Sequence, residues 1–156
     1  MTAFALQVVT PERILWSGDA EAVSMRTEVG EITFLAHHTA FIAALDVTVL
    51  RISGAGESDG EGAAAAAEIR AAVHGGFVHV DDNKVVILAS VAELAAEIDV
   101  ERARRALAAA EERVGTETED EPEAPHGPVS VADLDPSSAK ATMARARVRL
   151  EAAGAA

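Results

Sequence analysis

The chain has 156 residues, room for one domain of about 100–150 residues with an appendage but not for two full domains. Asp and Glu total 26 against 13 Lys and Arg, a net charge of −13, which argues against a general nucleic-acid binder because phosphate contacts need clustered Lys and Arg. There is no cysteine, which excludes a disulfide scaffold, a thiolate zinc site and thiol catalysis together.

No run of about 18 apolar residues occurs, and MTAFALQVV lacks a basic stretch ahead of a hydrophobic one, so the expected location is the cytosol, or a membrane reached only through a partner. The hydrophobic fraction of 49% includes 35 alanines, and an alanine methyl contributes far less on burial than a Val or Leu side chain. The larger apolar residues crowd between Phe4 and Val91, while the last third is alanine and charge. Two regions of unequal packing strength follow.

The first ninety residues read as short strands. Ala5–Val9 ends at the turn signal Thr10-Pro11, Ile14–Ser17 precedes Gly18-Asp19, and Ala20–Arg26 alternates weakly. Val47–Ile52 is rich in β-branched residues, and Phe77–Val80 and Lys84–Ala89 flank Asp81-Asp82-Asn83 as a hairpin with a short turn. Strands at this spacing suggest a sandwich or barrel. Gly75-Gly76 has neither a Walker pattern nor a following helix and reads as a bend or bulge before Phe77. The low-complexity run 53–67 (SGAGESDGEGAAAAA) reads as a mobile loop inside one hairpin.

From Asp99 the period changes. Asp99 can cap a helix over Val100–Val114 whose stripe is Ala103, Leu107, Ala110 and Val114, with Glu101 placed to pair with Arg105. The segment 115–128 holds five acids, three prolines and no Lys or Arg, and reads as a solvated connector. Asp135-Pro136 offers an N-cap and a first-turn proline for a second helix over about Ser137–Ala153, striped by Met143, Ala146, Leu150 and Ala153. An antiparallel pair joined by alanine seams buries little area and is expected to detach readily.

No catalytic constellation emerges. The five histidines (His37, His38, His74, His79, His126) have no Gly-x-Ser-x-Gly element beside them, and adjacent His37-His38 diverge on a strand with no further ligand nearby, so no metal site is expected. That pair reads instead as a loop at a contact surface, and Trp16 as core or interface. The unusual feature is local positive charge in an acidic chain. Lys140, Arg145, Arg147 and Arg149 stand against Glu151, and Arg102, Arg104 and Arg105 cluster on the first helix. If the hairpin closes, Arg102 approaches Arg145 and Arg149 in a cluster suited to an anion; the other reading is a solvated face paired with the acidic connector.

The segment VVTPERILWSG (Val8–Gly18), then Gly30-Glu31, His38, GGFVHVDDNKVVILA (Gly75–Ala89) and ELAAEIDVERARRA (Glu93–Ala106) run in one order. In that ordered set, spanning Phe4–Leu150, the sequence resembles the epsilon subunit of bacterial F-type ATP synthases. It departs from the family where a Pro-Gly-His-x-Pro loop gives way to Ala36-His37-His38-Thr39-Ala40, and in the length of the 53–67 loop.

The resemblance implies an α+β fold: a β-sandwich of about ten strands over residues 1–90, then a regulatory two-helix hairpin over 91–156. It implies a non-catalytic subunit of the central stalk, peripheral at the cytoplasmic face of the cell membrane. Its partners would be the gamma subunit, the c-ring and the catalytic alpha/beta head, and it would couple proton-driven rotation to ATP synthesis. Glu31 and His38 would fall in partner-facing loops, and the hairpin would extend along gamma to inhibit ATP hydrolysis.

Some members bind ATP on the docked hairpin through Ile-Asp-x-x-Arg-Ala, which Ile98–Ala103 matches, and Glu93, Asp99, Arg102, Arg145 and Arg149 stand where the family's nucleotide ligands do. A further arginine of ATP-binding members is replaced by Ala109, at a cost of about 1.5–3 kcal/mol in binding. ATP would therefore be a weak regulatory ligand, not a required cofactor. The competing readings are a free-standing ATP sensor and an unrelated sandwich module with a helical tail.

Overall fold

The computed structural model describes residues 2–54, 68–117 and 138–155. Among them are eight strands, β1 (Phe4–Val9), β2 (Ile14–Ala20), β3 (Ala22–Thr27), β4 (Gly30–Leu35), β5 (Phe41–Ser53), β6 (Ile69–Asp81), β7 (Lys84–Ala89) and β8 (Ala92–Leu94). A single 3-10 turn (Ala95–Glu97) then leads to two helices, α1 (Val100–Glu117) and α2 (Ala139–Ala152).

Alternation builds the first strand: Phe4, Leu6 and Val8 point into the core and the residues between them point out. β1 pairs antiparallel with β2 and parallel with β7, and β7 continues antiparallel to β6. β5 and β6 form a long hairpin that passes through two layers. Phe41–Leu45 pairs with Gly76–Val80, and Val47–Ile52 pairs with Ile69–His74. One layer is therefore β2, β1, β7 and the near halves of β6 and β5. The other is β8, the remaining halves of β6 and β5, then β3 and β4. Eight strands supply the expected ten segments because β5 and β6 each serve both layers. Leu6, Val78, Val80 and Ile87 from the first layer meet Val23, Met25, Phe34, Leu50, Ile52 and Val73 from the second in one core. Trp16 is in that core.

The crossing is made at Gly75 (φ 77°) and Gly76 (φ 133°), both in the region glycine favours. A Cβ on Gly76 would lie 2.0 Å from the Leu88 carbonyl oxygen, so β7 can approach only because no side chain is there. The Asp82-Asn83 turn has positive φ at both residues, 45° and 58°, as a two-residue hairpin of the I′ kind requires.

α2 lies on the outer face of the second layer, where Ala152 and Val148 meet Val49 and Ala72. Burial of both sheet faces there explains the unbroken buried runs Thr48–Leu50 and Ala71–His74. α1 packs on α2, so α2 is the middle layer, with Ala103 and Ala110 of α1 and Ala146 and Leu150 of α2 buried. The seam predicted from alanine spacing is present.

Several boundaries differ from the sequence reading. α1 runs through Glu117, so 115–117 are helical where a connector was expected. Ser53 still pairs with Ala22, so the loop expected from residue 53 begins later; its residues 55–67 and the connector from residue 118 lie outside the described residues. Ser138 caps α2 by accepting the Ala141 N–H at 3.1 Å, a short hydroxyl satisfying a free first-turn donor in place of the expected Asp135. β8 pairs with β6, so the sheet reaches past residue 90. Glu101 pairs with Arg104 at 3.1 Å, while Arg105 Nε donates to the Glu101 carbonyl at 3.3 Å, because the helical geometry brings both neighbours within reach and the nearer turn takes the carboxylate.

Candidate functional site

The interface between α2 and the sheet gathers charge. Arg145 and Arg149 stand four residues apart on α2 and so share a face. The Arg149 Nε donates to Glu93 Oε2 on β8. On β6, Ala71 and Val73 point into the core, which turns Ala72 and His74 outward under α2. His74 Nε2 is 3.8 Å from the same Glu93 oxygen. Burial first, then the Arg149 guanidinium, push the His74 imidazole down from 6.5 to about 4, against the opposing pull of Glu93. At either side of this cluster, Arg51 Nη2 of β5 donates to Glu151 at 2.9 Å and Arg147 Nη2 donates to Glu111 of α1 at 3.4 Å. Among the described residues the hairpin is clasped by ionic contacts of modest strength, Arg149–Glu93 and Arg51–Glu151 onto the sheet and Arg147–Glu111 between the helices, rather than by a large apolar face.

The structure thus brings Glu93 and Arg149 into direct contact and sets Arg145 beside them at His74. Asp99 is engaged elsewhere. Its Oδ1 accepts the Arg102 N–H at 3.0 Å, which caps α1, and the Arg102 residue is exposed on that first turn. Leading into that turn, Arg13 Nη2 donates to both oxygens of Glu97 at 2.9 and 2.8 Å, joining the β1–β2 turn to the start of the hairpin.

At the opposite region, Glu31 is exposed at the start of β4, across from Arg26 of β3. The His38 ring stands edge-on to Phe34 with centroids 4.8 Å apart, and its Nδ1 is 2.8 Å from the Thr39 carbonyl. His37, at φ 60°, donates its N–H to Asn83 Oδ1 at 2.7 Å. Asn83 Nδ2 in turn donates to the Ala3 carbonyl at 3.1 Å. The 36–40 loop is held by this asparagine. From the sequence, Asn83 reads only as part of a turn and His74 only as one of five histidines. An asparagine at a tight turn signals only the turn, and the covering of His74 comes from a helix far along the chain.

Among the described residues no group of three His, Asp or Glu is placed to hold a metal ion. No helix among them is long and apolar enough to cross a membrane. The two-layer sandwich defines the class of protein: a family model described as the ATP synthase delta/epsilon chain β-sandwich domain matches residues 3–95. The Thermobifida fusca ATP synthase epsilon chain is 41% identical over 152 residues, covering 96% of this chain and 91% of that one. The Halalkalibacterium halodurans epsilon chain is 34% identical over 154 residues, covering 99% of each. The chain belongs to the ATP synthase epsilon-chain family. The fold also recurs in a chain of the Tetrahymena thermophila mitochondrial ATP synthase central stalk and c-ring, with a TM-score of 0.54 and 16% identity over 96% of this chain and 95% of that one.

Proposed function

We propose that this chain is the non-catalytic central-stalk subunit of a rotary F-type ATP synthase, at the cytoplasmic face of the membrane. The sandwich would grip the gamma subunit and the c-ring so that proton-driven rotation reaches the alpha/beta head, and the hairpin would leave the sandwich to restrain ATP hydrolysis. One observation carries the reading beyond family membership: the two outer faces of the sandwich differ. One is covered by α2. The other, on the first layer, leaves Ile42, Phe77 and Leu88 exposed at 68%, 56% and 50%, with Phe77 and Leu88 paired across β6 and β7. Large apolar side chains grouped on one face mark a surface that a partner covers.

The 36–40 loop with His38, and Glu31 nearby on β4, would meet the c-ring side. ATP would act as a weak regulatory ligand at Arg145 and Arg149, supported by two guanidiniums on one helix face. It would be weak because Arg149 already bonds Glu93 and Asp99 already caps α1, so a nucleotide has to displace a contact or do without one.

The test adds the full chain back to an epsilon-depleted catalytic head while ATP hydrolysis is followed. A second form carries Val49→Cys and Ala152→Cys, residues that pack together across the sheet–helix contact. The reduced form suppresses turnover and the oxidised, closed form binds without suppressing. Equal suppression by both forms would refute the hairpin's role. Failure of either form to bind the head would refute the stalk assignment.

A further inference from the structure

We infer that His74 makes docking of the hairpin pH-sensitive: α2 seats on the sheet while the imidazole is neutral and lifts away when the ring gains a proton. The His74 side chain is 3% exposed, and neither ring nitrogen has a hydrogen-bond partner among the described residues. A buried polar ring without partners is costly, and its charged form far more so.

The charges that face it are Glu93 from β8 and Arg145 and Arg149 from α2. The Glu93 carboxylate stands 3.8 Å away and is already engaged by the Arg149 Nε–H. Arg51 of β5 also points toward α2 but is bonded to Glu151. α1 lies on the far side of α2. A proton on the buried His74 ring therefore adds a cation beside the guanidiniums of α2, and lifting α2 relieves both the burial and the repulsion.

The direction follows from linkage. Docking holds His74 down at about 4, and the ordinary histidine value of 6.5 stands for the open ring, which α2 no longer covers. The docked state thus binds the proton less well than the open one, so docking is at full strength above the open value and weakens as pH falls from 6.5 toward 4. Between pH 7.5 and 5.0 the docking equilibrium should shift by roughly ten- to thirtyfold toward release. This inference rests only on the docked hairpin described above, and stands or falls independently of whether the released hairpin inhibits hydrolysis.

The experiment uses the full chain alone. Protection factors of α2 amides against hydrogen exchange are measured at pH 7.5 and 5.0, and the His74 ring is titrated by NMR with labelled histidine. Protection should fall roughly ten- to thirtyfold on acidification in the unmodified chain, stay level in His74→Gln, and accompany a ring that is still neutral at pH 5.5. Unchanged protection in the unmodified chain, the same fall in His74→Gln, or a ring titrating at its ordinary value would each overturn the inference. If His74→Gln already unseats α2 at pH 7.5, the ring titration and the pH response of the unmodified chain decide it alone. No gamma subunit or catalytic head takes part, so a failed stalk assignment would leave these readings unchanged.

Discussion

Arg149 of α2 donates its Nε proton to Glu93 of β8, a residue 56 positions earlier, and so closes the hairpin against the sandwich across a span that includes all of α1. Glu93 is 36% exposed on its side chain and Arg149 29%, which places the pair between a solvated surface bridge and a buried one. A double-mutant cycle of Glu93→Gln and Arg149→Gln should give a coupling of about 1 kcal/mol, the low end for a charged hydrogen bond after solvent screening. The measurement is the exchange protection of α2 amides in each variant. A coupling indistinguishable from zero would leave the helix held by the Val49–Ala72–Ala152 contact and the Arg51–Glu151 bridge.

Gly76 should tolerate no side chain. Its added Cβ would meet the Leu88 carbonyl oxygen at 2.0 Å in a backbone conformation at φ 133°, so Gly76→Ala is expected to cost more than about 2 kcal/mol. Gly75, at φ 77° with its nearest atom 4.0 Å away, has only the conformational penalty, and Gly75→Ala should cost about 1 kcal/mol. Urea unfolding of the two variants checks the order.

Asn83 does two things that substitution separates. Asn83→Gly keeps the positive φ of the turn but removes the bonds to His37 and Ala3. The β6–β7 hairpin should persist with its cross-strand contacts, while the 36–40 loop loosens and global stability falls by about 1 kcal/mol. Exchange of the His37 amide, rapid in Asn83→Gly and slow in the unmodified chain, is the readout. Slow exchange in both would mean that the ring packing of His38 on Phe34 holds the loop without help.

Ala146 is 1% exposed in the helix–helix seam, and a larger residue has nowhere to go. Ala146→Leu should force α1 and α2 apart at a cost of about 1–3 kcal/mol, seen as faster exchange along α1 while the sandwich core keeps its protection. Loss of protection throughout the chain would instead show that sandwich and hairpin unfold as one unit.

Local chemistry made part of this structure readable in advance. Asp99 before an alanine period marked the start of α1, Asp82-Asn83 between two apolar runs marked a hairpin, and Gly75-Gly76 marked a bend. The long strands were not readable, because the covered half of β6 has both faces buried, and Ala71–His74 therefore shows no alternation. β4 was passed over: among its six residues only Phe34 is buried, so no inward pattern announced it. The arginines of the candidate site stood out against an acidic background. His74 did not, since one histidine on a strand looks like any other until a distant helix covers it.

The order of stacking reverses the order of synthesis. α1 leaves the ribosome before α2, yet its seat is α2, and α2 is the element that rests on the sheet. The nascent sandwich can close while α1 still has no surface to lie on, and the first helix becomes part of the folded body only when the last one arrives. A chain stopped short of Ala139 would carry α1 as an unanchored tail, so the hairpin is acquired in a single late step rather than helix by helix.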